Sequence, residues 1–153
     1  MKKMGTEITY LEAIREAQSH ALRDDPRVFI YGQDVGAFGG AFKATKNLAK
    51  DFPGRVLDSP ISEDAMVGMA VGAAIEGMRP IIEMQFADFS IVGFNQIVNQ
   101  AAVERLPLVL VVANNQFAYS TPTERQFACD NLTDKAVGYG IRAHKVEIGR
   151  AHV

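Results

Sequence analysis

The chain has 153 residues, a single cysteine and a formal net charge of −2, and 48% of its residues are apolar. This composition excludes disordered, collagen-like and disulfide-stabilised proteins. Basic residues number 16 against 18 acidic ones, without the basic block that nucleic-acid binding requires. The longest apolar stretch, residues 106–113, is far shorter than the ~20 residues of a membrane-spanning helix. We therefore expect a soluble, cytoplasmic protein with neither nucleic-acid nor membrane partners.

Helices and strands are predicted to alternate along the chain. Thr9 and Glu12 have the spacing of a capping box, and apolar residues at helical intervals predict a first helix that ends at Asp24. Further helices are predicted over 42–52, 63–76, 89–105 and 131–139, and strands over 28–31, 55–58, 80–85 and 108–113. The strands are continuously apolar, which is typical of a parallel sheet with helices on both faces. The predicted fold class is α/β.

Glu63 is the first candidate functional residue. It follows a predicted strand and opens a helix composed almost entirely of apolar and small residues, which we expect to be buried on all sides. The helix dipole stabilises a carboxylate at this position, and a dry cleft would strengthen its hydrogen bonds. The alternative is an ordinary carboxylate in the first helical turn, and the neighbouring Asp64 competes for both roles.

Two further loops combine polar groups at predicted strand ends. Residues 83–89 hold a carboxylate, an amide and two aromatic rings, a combination on which a flat heterocycle could stack. Alternatively, Phe86 and Phe89 belong to the core and Asp88 caps the next helix. Asn114 and Asn115 follow an apolar strand and offer oxygen ligands for a cation such as Mg²⁺, although asparagine is also common in turns.

Several short segments together resemble one known family. They are residues 32–36 (GQDVG), 39–42 (GGAF), 59–63 (SPISE), 79–80 (RP), 85–89 (QFADF) and 94–102 (FNQIVNQAA). From about residue 6 to residue 101, the chain resembles the pyrimidine-binding domain of the beta subunit of thiamine-diphosphate-dependent 2-oxo acid dehydrogenases. The resemblance implies that Glu63 hydrogen-bonds a ring nitrogen of the cofactor's pyrimidine and so activates it. Phe89 matches an aromatic residue that packs on the pyrimidine, with Gln85 nearby.

Residues 104–107 and 112–123 resemble the alpha subunit instead, in the part that binds the cofactor's diphosphate. Asn115 and the backbone carbonyl of Phe117 match magnesium ligands, and Ser120 lies in the adjoining cofactor-binding loop. The acidic element that precedes these asparagines in the family is missing, so one metal ligand is absent. The switch between the two resemblances falls at Ala101 and Ala102.

These resemblances predict three parts of the chain. Residues 1–101 are expected to form a transketolase-like pyrimidine-binding domain, and residues 102–143 a fragment of a diphosphate-binding domain. Residues 147–153 resemble the translation of a sequencing adapter, and we expect the tail 144–153 to be an artefact. Together with the internal switch, the tail suggests a misassembled gene model as a hypothesis. Sequencing the locus from source DNA tests it.

The resemblance also implies a function. The chain is expected to be a component of a 2-oxo acid dehydrogenase complex that oxidatively decarboxylates pyruvate or a branched-chain 2-oxo acid. The implied cofactors are thiamine diphosphate and Mg²⁺, and the implied partners are the lipoyl domain of the acyltransferase component and a complementary subunit, forming a heterotetramer. The alternative is an inactive chimeric or truncated fragment. A nucleotide-binding module is disfavoured, because Gly36, Gly39 and Gly40 lack the spacing of a phosphate-binding loop.

Overall fold

The structure is a computed structural model that describes residues 8–97, 103, 105–106, 117–118, 121–125 and 128–145. Its α-helices are α1 (Tyr10–Asp24), α2 (Leu48–Asp51), α3 (Glu63–Ile75) and α4 (Thr133–Gly138). Its strands are β1 (Val28–Gly32), β2 (Val56–Asp58), β3 (Arg79–Glu83), β4 (Phe117–Ala118) and β5 (Thr121–Pro122). Short 3-10 helices cover Ala87–Ile91 and Thr123–Arg125. None of the helices in these described segments is long and apolar enough to span a membrane.

A parallel three-stranded sheet with packed helices confirms the predicted α/β class. The strand order is β2-β1-β3, and Ile30 at the centre of β1 is paired with Val56 on one side and Ile81 on the other. The short strands β4 and β5 form a separate antiparallel pair. Because the three parallel strands end at the same edge, the loops that follow them converge there.

The sheet and helices enclose two groups of buried apolar side chains. The larger group joins α1, β1, α2 and β2 through Leu22, Ile30, Leu48 and Val56. A second group lies on α3, where Val67 and Val71 pack with Met84, Ile97 and Leu106. The sheet core therefore fixes the strand ends, and the second group holds α3 and the segment after β3 together.

The first helix begins as the sequence predicts. The Thr9 hydroxyl accepts a hydrogen bond from the Glu12 backbone at 3.2 Å, and the Glu12 carboxylate accepts one from the Thr9 backbone at 2.8 Å. These contacts complete the capping box and hold the pKa of Glu12 below its ordinary value, chiefly through the bond from the Thr9 backbone.

The helix predicted over 42–52 is wrong for most of its length, because only Leu48–Asp51 is helical. Lys43 and Asn47 have left-handed backbone angles, with φ values of 64° and 71°, and such residues interrupt a right-handed helix. The Lys43 ammonium instead hydrogen-bonds the Phe38 carbonyl at 2.9 Å and lies over the Phe38 ring. The segment is therefore a structured loop.

Two other predictions about helices also need correction. The helix predicted over 89–105 is wrong at its start, because residues 89–91 belong to the 3-10 helix Ala87–Ile91 and residues 92–93 form a turn. Helix α3 is buried on one side only, whereas Met69 and Ile75 on the same helix are 38% and 52% exposed, because the sheet covers a single face of it. The strand predicted over 108–113 lies outside the described residues.

Candidate functional site

Glu63 is the first residue of α3, in the connection that leaves β2. It is half-buried, whereas the alternative candidate Asp64 is exposed to solvent. The Ser62 side chain makes no capping hydrogen bond at this helix end, so the positive end of the helix dipole faces the Glu63 region without a side-chain cap.

Gln33 connects two of the predicted site residues. Its side-chain amide Nε2 donates a hydrogen bond to Glu63 Oε1 at 3.0 Å, and its backbone carbonyl accepts one from Gln85 Nε2 at 3.1 Å. Gln33 directly follows β1, and Gln85 lies two residues beyond β3. Because the strands are parallel, Glu63 and Gln85 both reach Gln33 at the carboxyl edge of the sheet. This edge is where ligands bind in open α/β sheets.

Phe89 belongs to a row of three aromatic rings beside this edge. Its ring meets Phe86 edge to face with centroids 5.6 Å apart, and Phe86 meets Phe42 in the same way at 5.8 Å. Phe89 is 44% exposed and Phe42 56% exposed, so the interpretation of Phe89 as a core residue is wrong. An exposed aromatic ring at this position could stack against a flat ligand.

Gly93 brings the segment that carries Phe89 against α3. A Cβ atom at Gly93 would lie 2.7 Å from Val67 Cγ2 and 3.5 Å from the backbone oxygen of Glu63. No side chain therefore fits between this segment and the first turns of α3. Through this contact, the Phe89 segment and the Glu63 helix form one wall of the candidate site.

Glu83 is a half-buried carboxylate at the start of the segment 83–89. Its Oε2 atom is buried and has no hydrogen-bond partner within the described part of the chain. Burial raises the pKa of Glu83 above its ordinary value. A Cβ atom at Gly40 would lie 2.8 Å from Glu83 Oε1, so the loop after β1 passes directly over this side chain. The sequence signal was a glutamate within an otherwise apolar predicted strand.

The residues matched to the metal and diphosphate are described only in part. Asn115 and Ser120 lie outside the described residues, and Phe117 is described by its backbone, which pairs with Pro122 between β4 and β5. Among the described residues, no group of three or more histidine, cysteine, aspartate or glutamate side chains could hold a metal ion. The magnesium site stays a prediction.

Two family profiles match the chain. "Transketolase, pyrimidine binding domain" matches residues 6–120, and "Dehydrogenase E1 component" matches residues 93–148. The first profile covers most of the chain and includes Gln33, Glu63, Gln85 and Phe89. The two matches overlap over residues 93–120.

Curated relatives point the same way. The chain is 49% identical over 96 residues to the 2-oxoisovalerate dehydrogenase subunit beta of Bacillus subtilis, an alignment that covers 62% of the chain and 29% of the relative. It is 46% identical over 101 residues to the pyruvate dehydrogenase E1 component subunit beta of Gracilaria tenuistipitata, covering 65% of the chain and 31% of the relative. The chain thus spans less than a third of the length of these relatives. With the first profile matching residues 6–120, the chain belongs to the transketolase pyrimidine-binding domain family.

Proposed function

We propose that this chain supplies the pyrimidine-binding half of a thiamine-diphosphate site in a 2-oxo acid dehydrogenase component that acts on pyruvate or a branched-chain 2-oxo acid. The observation that carries the proposal is the half-buried Glu63 carboxylate at the start of α3, hydrogen-bonded by Gln33 at 3.0 Å. The relatives are beta subunits of pyruvate and 2-oxoisovalerate dehydrogenases, and they support the reaction class.

The described residues fit the aminopyrimidine ring of this cofactor. Glu63 Oε1 is occupied by Gln33, while Glu63 Oε2 has no hydrogen-bond partner among the described residues. A carboxylate oxygen with spare capacity can hold a proton at a ring nitrogen. The exposed ring of Phe89 suits stacking on a heteroaromatic ring.

Each residue then has a separate task. Glu63 holds the proton at the pyrimidine nitrogen, Phe89 stacks on the ring, and Gln85 fixes the backbone of Gln33 through its hydrogen bond. The apolar surface of α3 and the aromatic row limit the access of water, which strengthens the Glu63 hydrogen bonds. When bound, thiamine diphosphate supplies the electron sink for decarboxylation of the 2-oxo acid.

The proposal extends to the metal and the partners. Asn115 and the carbonyl of Phe117 would hold Mg²⁺, and Ser120 would lie beside the diphosphate. A complementary subunit would complete the site in a heterotetramer, and the lipoyl domain of an acyltransferase component would accept the acyl group. Relatives named as beta subunits support a second kind of subunit.

A second candidate function is an inactive chimera of beta-like and alpha-like sequence. The observation that favours it is the match of the "Dehydrogenase E1 component" profile to residues 93–148, which starts inside the pyrimidine-domain match. Such a chain would retain the Glu63 region and yet bind no cofactor.

Isothermal titration calorimetry of the full chain with thiamine diphosphate and Mg²⁺ separates these proposals. We expect micromolar binding to the wild-type chain, and no measurable heat from Glu63→Gln, which removes the charge but keeps the size of the side chain. Asp64→Asn is the matched control, because it removes the adjacent exposed charge at the same helix end. Equal binding by Glu63→Gln would overturn the role of Glu63, and the absence of heat from the wild-type chain would favour the inactive chimera.

A further inference from the structure

Glu63 and Gln85 both form a hydrogen bond with Gln33. Its side chain contacts Glu63, 30 residues away in the sequence, and its backbone carbonyl contacts Gln85, 52 residues away. The backbone on both sides is also constrained. A Cβ atom at the preceding Gly32 would meet the Glu83 carbonyl oxygen at 2.8 Å, and the following Asp34 has a left-handed φ of 56°.

These constraints leave the Gln33 side chain little freedom. The amide must donate to Glu63, because a carboxylate only accepts hydrogen bonds when ionised. Such a charge-assisted bond is about twice as strong as a neutral one, and it fixes which Glu63 oxygen is occupied. The other oxygen is then available in one orientation. A group that must meet a ring nitrogen needs this kind of support from a neighbouring residue.

We infer that Gln33 is a positioning residue, whose side-chain amide sets the orientation of Glu63 for binding the aminopyrimidine. This inference rests on the proposed function, but the hydrogen bond on which it depends can be observed without cofactor. Its chemistry also requires a hydrogen-bond donor at position 33. A carboxyl at this position donates only while it is protonated, because two ionised carboxylates at hydrogen-bond distance repel each other.

The first test is a spectroscopic signature in the cofactor-free chain. In ¹H–¹⁵N NMR spectra, the signals of the Gln33 side-chain amide are assigned by their loss in Gln33→Met. We expect these signals to shift in Glu63→Gln, which removes the charged acceptor, and to keep their positions in Asp64→Asn. Signals that stay in place in Glu63→Gln would overturn the inference, whether or not the chain binds thiamine diphosphate.

The second test is the affinity for thiamine diphosphate measured by calorimetry. Loss of a charge-assisted hydrogen bond in Gln33→Met should weaken binding about tenfold. Gln18→Met is the matched control, because it makes the same substitution on α1, and we expect its affinity to stay within twofold of wild type. Equal affinities for Gln33→Met and wild type would contradict the inference.

Gln33→Glu distinguishes the positioning of Glu63 from a purely structural role of Gln33. When its carboxyl is protonated it can again donate to Glu63, so we expect near-wild-type affinity at low pH and the weakened affinity of Gln33→Met at high pH. Each value is compared with the wild-type chain at the same pH. A constant ratio of affinities across the pH range would overturn the inference. If the wild-type chain itself does not bind, the proposed function fails, and the NMR signature still decides the role of Gln33.

Discussion

The close contact between Gly93 and Val67 makes Gly93→Ala the most informative test of how the site is assembled. The added Cβ would lie 2.7 Å from Val67 Cγ2 and 3.1 Å from Val67 Cβ. Carbon atoms normally approach to about 3.5–4.0 Å, so the segment and α3 must separate by nearly one ångström. Val67 is buried and β-branched and cannot move aside easily. Overpacking of this kind costs about 1–3 kcal/mol.

Urea denaturation of the chain measures this loss, with the free energy of unfolding taken from the midpoint and slope. Gly72→Ala is the matched control, since Gly72 is an exposed residue of α3 and an added Cβ there would meet nothing within 4 Å. We expect Gly72→Ala to stabilise the chain by up to about 1 kcal/mol, because alanine has the higher helix propensity.

A double-mutant cycle with Val67→Ala isolates the contact itself. Val67→Ala removes Cγ2, the nearest atom, and keeps Cβ at 3.1 Å, so Gly93→Ala should cost clearly less in that background than in the wild-type chain. A cost above 1 kcal/mol that persists unchanged in the Val67→Ala background would refute the packing of Gly93 on Val67. So would a Gly93→Ala chain as stable as wild type.

Two further predictions concern the loop after β1 and the carboxylate beneath it. Gly39→Ala should destabilise the chain by more than Gly54→Ala. Both glycines have left-handed φ values, 82° and 76°. Only at Gly39 would the added Cβ meet the backbone, 2.8 Å from Lys46 Cα. Gly54→Ala should cost the ~1–2 kcal/mol of the backbone angle alone, and equal losses in thermal or urea unfolding would contradict the loop geometry. Burial raises the pKa of Glu83 above its ordinary value of 4.5. The folded chain therefore holds the Glu83 carboxyl proton more tightly than the unfolded chain does. The free energy of unfolding should fall as pH rises through the raised pKa. Glu83→Gln should flatten that part of the pH–stability profile, and a profile identical to wild type would show that Glu83 is not buried as described.

Local sequence patterns predicted several elements correctly because short-range physics determines them. The capping box at Thr9 and Glu12 places the start of α1, and continuously apolar segments place the parallel strands around Ile30. The same patterns failed over 42–52, where apolar spacing indicated a helix. There the left-handed angles at Lys43 and Asn47 interrupt it, and hydrophobic periodicity carries no information about such angles.

The sequence predicted individual residues of the candidate site, but not the contacts between them. Glu63, Gln85 and Phe89 were candidates from the residue pattern and received their roles from the resemblance, but no role was given to Gln33. Its hydrogen bond to Glu63 spans 30 residues and exists because β1 and β2 are parallel neighbours that end at the same edge. The burial of Glu83 was missed for a related reason, since its position under Gly40 depends on the path of a loop more than 40 residues earlier in the chain.

The central claim is that Glu63 receives the aminopyrimidine ring of thiamine diphosphate, and saturation-transfer NMR tests it most directly. Protein resonances of the full chain are saturated in the presence of thiamine diphosphate and Mg²⁺, and the transfer to each ligand proton is measured. We expect strong transfer to the pyrimidine protons from the wild-type chain and from Asp64→Asn, and loss of that transfer in Glu63→Gln. Transfer to the pyrimidine protons that is unchanged in Glu63→Gln, or absent from the wild-type chain, would contradict the central claim.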